Sequence, residues 1–253
     1  MNLKILLKKI TRSNISIFIR NNLNLSPVDI DINFLNKKTS ISDAFCWRTD
    51  NGYKTVVKFS NLVKMFFNQD AEMKIIFFSK QNMKIKEIIL NSNNLSHEIL
   101  INKEYMNGIE DYGTFFIFHN LDTVKSKTII SNRCYVGYSL NNELPSFVHG
   151  NTLVKYENNT EYKKDIIKNT FINKRQYIVQ NLYSIDSQLE IYIANPTSKI
   201  INVFFDNKIF KMEPFNCKII KTNLNKISLK SDCMFLRPII FESKKEFLNV
   251  HHG

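Results

Sequence analysis

The sequence predicts an all-β protein built from two β-sandwich lobes, jelly-roll or immunoglobulin-like, behind a short N-terminal amphipathic helix. Three observations carry that expectation. Short runs rich in Ile, Val, Phe and Tyr alternate apolar with polar residues through most of the 253-residue chain, and a period of two is strand spacing. In the C-terminal third such runs recur every eight to twelve residues or so with turn residues between them, which is the rhythm of a sandwich. Between these regions lies one stretch, residues 155–175, that is more polar than any other.

Taken in order, Leu3, Leu6, Leu7 and Ile10 fall at i, i+3, i+4 and i+7, with Lys4, Lys8, Lys9 and Arg12 on the other face. That is a basic amphipathic helix over 1–12. Two placements fit it: weak contact with an anionic membrane, or packing on its own domain or a partner subunit. The second is preferred, because one short helix binds lipid only marginally. From residue 15 the period changes, and Ile15, Ile17 and Ile19 predict a first strand. Residues 1–28 thus form the N-terminal segment.

The first lobe spans 29–154, with strands predicted over 53–59, 73–79, 84–90, 114–119, 133–140 and 146–154. Residues 60–67 (SNLVKMFF) fit both an N-capped helical turn and a strand. Residues 155–175 predict a polar linker carrying a short helix over 161–169. The second lobe, 176–253, has strands predicted over 188–194, 199–205, 209–212, 217–221, 227–230 and 234–241. Asn195-Pro196-Thr197-Ser198 and Asp206-Asn207-Lys208 make its turns. Pro214 and Pro238 belong on edges or at strand starts, since neither can donate to a ladder.

Gly and Pro are scarce, at six and five, so Asn must build many turns; its side chain mimics a turn and tolerates the left-handed region. The net charge of +12 invites a nucleic-acid or membrane reading. The lysines are spread along the chain, however, as in a Lys-, Asn- and Ile-rich product of an AT-rich genome. Cys46, Cys134, Cys217 and Cys233 show neither a Cys-x-x-Cys pair nor zinc-ligand spacing. They read as buried free thiols in a reducing compartment. The start MNLKILLKKI has too short an apolar core for a signal peptide, and no apolar run is long enough for a membrane-spanning helix. The expected location is cytoplasmic.

No phosphate loop, dinucleotide fingerprint, Gly-x-Ser-x-Gly or His-Glu-x-x-His is present. Residues 110–151 hold three of the six glycines, Gly113, Gly137 and Gly150, and glycine inside a strand marks a bulge or a close approach. Arg133, Tyr135, His149 and Asn151 are candidate ligand-binding residues there. A cupin-type metal motif fails on its Pro-to-His interval and lacks the upstream His-x-His. His119 and His149, with Asp111 or Glu110 as third ligand, form the remaining candidate for a divalent metal; the alternative leaves both histidines as strand residues and the protein without a cofactor. Cys134 beside Arg133 and Ser146 near His149 lack the base-and-orienter pattern of an activated nucleophile. A second cluster, FCWRTDNGY at 45–53, joins the only tryptophan to Arg48, Asp50 and Asn51. Trp47, Arg48 and Asp50 suit a sugar ring, apolar face on the indole and hydroxyls on the charges. The plainer reading is a core tryptophan beside an Asp-Asn-Gly hairpin turn.

Two resemblances bear on function. IANPTSKIINVFF resembles, over one hairpin, the Asn-Pro turn of immunoglobulin-like modules attached to carbohydrate enzymes. RCYVGY and SFVHGN, with DYGTFFIFH upstream and RPIIF…VHHG at the end, resemble a family of uncharacterised bacterial proteins that accompany surface-polysaccharide or nucleotide-sugar enzymes. That resemblance spans about residues 40–253, implies glycan-related work and transfers no catalytic role. The expected function is therefore a non-catalytic or accessory protein that binds a carbohydrate in surface-glycan biosynthesis. The alternative is an enzyme using His119 and His149 as metal ligands or as an acid/base pair. Nucleic-acid binding ranks last, because most aromatics fall at buried strand positions rather than in a basic groove. Sheet edges with few prolines also allow a homodimer.

Overall fold

The computed structural model describes residues 10, 13–23, 29–30, 38–122, 124, 129–141, 143–150, 153–156, 163–165, 167–168, 175–180, 187–224, 226–233, 236–244 and 247–253. More than half of them lie in strands. The predicted all-β class is what the structure has. The basic helix expected over 1–12 lies outside the described residues apart from Ile10, as does Asn151.

The first element among the described residues is a helix, α1 (Asn14–Asn22), where alternation predicted a strand. Ser13 caps it, its Oγ accepting from the Ser16 amide at 3.2 Å. Ile15, Phe18 and Ile19 then fall on one helical face, and cap and stripe together outweigh the alternation of Ile15, Ile17 and Ile19. Then come β1 (Asp29–Ile30), β2 (Thr39–Asp43), β3 (Phe45–Arg48) and β4 (Tyr53–Ser60). Residues 60–67 resolve as a helix, α2 (Leu62–Phe67). Asn61 Oδ1 accepts from the Lys64 amide at 3.0 Å, and Asn68 closes it in the left-handed region at φ 48°.

The first part continues with β5 (Met73–Ser79), β6 (Lys84–Leu90), β7 (Ser96–Ile101), β8 (Tyr112–His119), β9 (Ile129–Asn132), β10 (Tyr135–Leu140) and β11 (Ser146–His149). Next are β12 (Leu153–Tyr156), β13 (Lys163–Asp165) and β14 (Ile167–Lys168). The described residues of the polar stretch are therefore short strands, not the helix expected over 161–169. The chain ends with β15 (Arg175–Gln180), β16 (Gln188–Ala194), β17 (Ile201–Phe205), β18 (Lys208–Met212), β19 (Cys217–Thr222), β20 (Lys226–Ser231), β21 (Ile239–Lys244) and β22 (Phe247–His252). Among the described residues seven non-glycine positions have positive φ, and Asn51, Asn68, Asn82, Asn107 and Asn141 are five of them, so Asn does take the turn role that Gly usually fills.

Among the described residues five sheets have four strands each, in the orders β11-β10-β4-β7, β13-β12-β2-β9, β3-β8-β5-β6, β15-β20-β17-β18 and β19-β16-β21-β22; β1 pairs with β14. These small sheets form a propeller-like ring, not two clear sandwiches. The physical reason is visible in β16 and β21. Leu189, Ile191, Ile193 and Ile240 face a core with Val203, Ile227 and Leu229. The alternate residues Tyr192, Ala194, Ile239 and Phe241 face another core, with Phe45, Trp47, Phe77 and Tyr138. A sheet apolar on both faces must be covered on both. It is the middle layer, and the region after residue 175 shares its core with the region before 150.

That shared core contains a buried ion cluster. Arg48 ends β3 with no exposure. Its Nε and Nη2 donate to the Asp50 carboxylate at 2.9 and 2.8 Å. Its Nη1 donates to Glu190 Oε2, on β16, at 2.6 Å. The guanidinium carbon also lies 3.6 Å from the centre of the Tyr53 ring and 4.8 Å from that of Phe241. Burial opposes the charge, but the hydrogen bond to Asp50 and the flanking carboxylates hold Arg48 protonated. Removing the cation leaves carboxylates in a dry core. Arg48→Met should therefore cost about 3–5 kcal/mol in urea denaturation, and Arg48→Met/Glu190→Leu should recover part of that loss. Equal stability of Arg48→Met and the native protein would show that the cluster does not hold the sheets.

Candidate functional site

The β11-β10-β4-β7 sheet buries one face and exposes the other. Val136, Tyr138, Val148, Val57 and Phe59 point into the core, so their neighbours point out. Register then decides which outward residues meet. His149, Tyr135, Lys58 and Glu98 form one row across the four strands, and Phe147, Gly137, Val56 and Leu100 form the next. Tyr135 is 61% exposed and Phe147 40%, and as diagonal neighbours their Cα atoms lie about 7–8 Å apart. A Cβ at Gly137 would come within 2.7 Å of the Phe147 ring, so the missing side chain is what lets that ring lie down on the sheet.

Polar groups rim the two rings. Lys58 Nζ pairs with Glu98 at 3.2 Å and stands 5.9 Å from the centre of the Phe147 ring. His149 meets Tyr135 edge to face, with ring centroids 5.9 Å apart. On its other side His149 Nδ1 shares a hydrogen bond with His252 Nε2, from β22, at 3.1 Å. One ring donates and the other accepts, so the pair is at most singly protonated when bonded. Burial, then the Arg237 charge and His149, hold His252 down at about 4. Ser146 Oγ accepts from the Val250 amide at 2.9 Å, tying β11 to β22 and engaging the hydroxyl that lies nearest His149 in sequence.

Behind this rim Arg133, 61% exposed along its side chain, reaches Asp43 with Nε at 3.3 Å. Asp43 ends β2 and is fully buried under Gly150, whose Cβ, if present, would lie 2.3 Å from that of Asp43. Burial raises the Asp43 carboxyl to about 6 against the opposing pull of Arg133. Cys134, next to Arg133, has its thiol pushed well up by burial, which leaves it unreactive. All four cysteines are buried.

The structure thus joins Arg133, Tyr135 and His149 in one region and separates the other sequence candidates. Trp47 is fully buried and donates from Nε1 to the Phe78 carbonyl at 2.8 Å; no ring face meets solvent. Arg48 and Asp50 are spent on the ion cluster. Asp50–Gly52 makes the expected turn, but β3 and β4 go to different sheets, so it is not a hairpin. Trp47 and Arg48 are core and Asp50 is partly buried beside them, so the indole has no face to offer the sugar ring expected there.

His119 and His149 are not brought together either. His119 ends β8, and its charge-coupled neighbour is His97, on edge strand β7, whereas His149 lies on the opposite edge strand β11. Three interstrand steps separate those edges, about 14 Å. Asp111 pairs with Lys80 at 3.0 Å and Glu110 with Lys103 at 2.9 Å, at the far end of β8, about 23 Å along the strand from His119. Among the described residues no three His, Cys, Asp or Glu side chains are placed to hold a metal. His119 is instead a core residue whose ring nitrogens find no hydrogen-bond partner among the described residues.

Phe147, Lys58, Glu98 and His252 were not singled out from the sequence. Alternation could have placed Phe147 with His149 and Tyr135; the His252 contact needs the fold. No protein-family model matches this chain, and no curated protein matches it either.

Two stability predictions follow from burial. His119 is driven down from 6.5 to about 4, chiefly by burial. A depressed histidine favours the fold above 6.5 and withdraws that support as pH falls toward about 4. His119→Phe should remove an acid-side loss of up to about 3 kcal/mol, flattening urea midpoints between those pH values. Asp43 has the opposite sign in acid. Its carboxyl is raised from 3.8 to about 6, so its ionisation opposes folding at neutral pH and that cost fades as pH falls below about 6. Asp43→Asn should stabilise the protein at pH 7 by up to about 3 kcal/mol, with no gain below about pH 3.8. A pH-independent difference would refute that assignment.

Proposed function

We propose that this chain is a non-catalytic carbohydrate-binding protein, and that the outward face of the β11-β10-β4-β7 sheet carries the ligand. The observation that supports this is the pair of exposed rings, Tyr135 and Phe147, diagonal on one sheet face with Gly137 seating Phe147 flat. A pyranose presents an apolar C–H face that packs on aromatic rings and a rim of hydroxyls that need donors and acceptors. His149 and Lys58 supply donors, Glu98 an acceptor, and Arg133 a charged fork beyond the rings. A flat face selects an extended chain of sugars rather than an enclosed monosaccharide. The resemblance of RCYVGY and SFVHGN to proteins that accompany polysaccharide enzymes suits that ligand class, and surface-glycan biosynthesis is the role we propose with it.

A glycan array followed by calorimetry on the best ligand tests the reading. Tyr135→Ala and Phe147→Ala should each weaken binding about tenfold or more, at the 1–2 kcal/mol typical of an aromatic contact, with melting temperature unchanged. Gly137→Val should do the same by lifting Phe147. Affinity should hardly change between 50 and 200 mM salt. Undiminished binding by both ring variants would overturn the site, and a steep salt dependence would point to a polyanion such as nucleic acid.

A further inference from the structure

Helix α1 leaves an apolar stripe in solvent. Ile15, Phe18, Ile19 and Leu23 are 74%, 56%, 51% and 62% exposed, and their spacing of i, i+3, i+4 and i+8 sets them on one side. The sequence around the helix is basic: Lys4, Lys8, Lys9, Arg12 and Arg20 meet no acidic residue before Asp29. An occupant of this surface must therefore supply both an apolar layer and negative charge. We propose that α1 docks the protein in the plane of an anionic membrane surface, with Ile15, Phe18, Ile19 and Leu23 toward the acyl chains and the basic residues at the headgroups.

Anionic lipid meets both requirements. A second copy of this chain offers a matching stripe but repels it, because each copy brings the same basic segment and a net charge of +12. The length of α1, nine residues, suits reversible attachment more than permanent anchoring. The helix shares no residue with the proposed sugar-binding face, so either assignment can fail without the other.

Flotation of the full-length chain with protein-free vesicles tests this. The protein should float with equal mixtures of phosphatidylcholine and phosphatidylglycerol, stay behind with phosphatidylcholine alone, and release as salt is raised. Phe18→Glu/Ile19→Glu should lower the vesicle-bound to free ratio about tenfold or more, with melting temperature unchanged because those side chains touch solvent. Arg20→Glu should weaken binding to the anionic vesicles only. Failure to float with anionic vesicles, or equal flotation of the Phe18/Ile19 variant, overturns the proposal. So does a native dimer in light scattering that the same variant converts to monomer, since the stripe would then be a subunit contact.

Discussion

A guanidinium without solvent must be matched by carboxylates, and Arg48 is matched by groups from distant parts of the chain. Asp50 follows it by two residues, whereas Glu190 arrives on β16 from 142 residues away. Because the cluster is closed only when β3 and β16 are in place, the β19-β16-β21-β22 sheet cannot leave without stranding charge. Glu190 is in turn held by Lys221 at 2.8 Å, which brings β19 into the same network. Tyr53 and Phe241 cover the cation from either part of the chain. The interaction fixes geometry more than it adds net stability, since a buried ion pair gains little over well-packed apolar groups.

With that sheet fixed as a middle layer, the remaining faces divide naturally. Both faces of β16 and β21 are covered, so their alternation of apolar residues on two sides is consumed by packing. The β11-β10-β4-β7 sheet buries only its inner face, and its outer rows are left to meet solvent. His252 reaches His149 because β22 is the edge strand of the middle sheet and lies against β11. The rim of the proposed sugar face is thus assembled across two sheets by the same packing that encloses Arg48.

Legibility followed the range of the forces involved. Strands β5 and β6 are where alternation places them, because period-two patterning is local. The Asn-rich turns were equally legible, since the tolerance of Asn51 and Asn141 for positive φ belongs to the residue itself. Alternation failed at Ile15, Ile17 and Ile19, where a cap at Ser13 and the addition of Phe18 make a helical stripe from the same letters. Strands β2, β3, β7 and β9 escaped notice because they are short or lack clean alternation. Trp47, Arg48 and Asp50 looked like a binding set because a residue list does not say which way a strand faces.

By itself the sequence determined the all-β class, most strand positions and the Asn turns, and it singled out Arg133, Tyr135 and His149 for attention, because these depend on side-chain type and short spacing. Tertiary structure decided the rest. It buried Trp47, set Arg48 against Glu190, separated His119 from His149, and brought His252 against His149 and Phe147 diagonal to Tyr135. Each of those outcomes depends on which sheets stack and in what register, and that is settled by contacts between residues far apart in the chain.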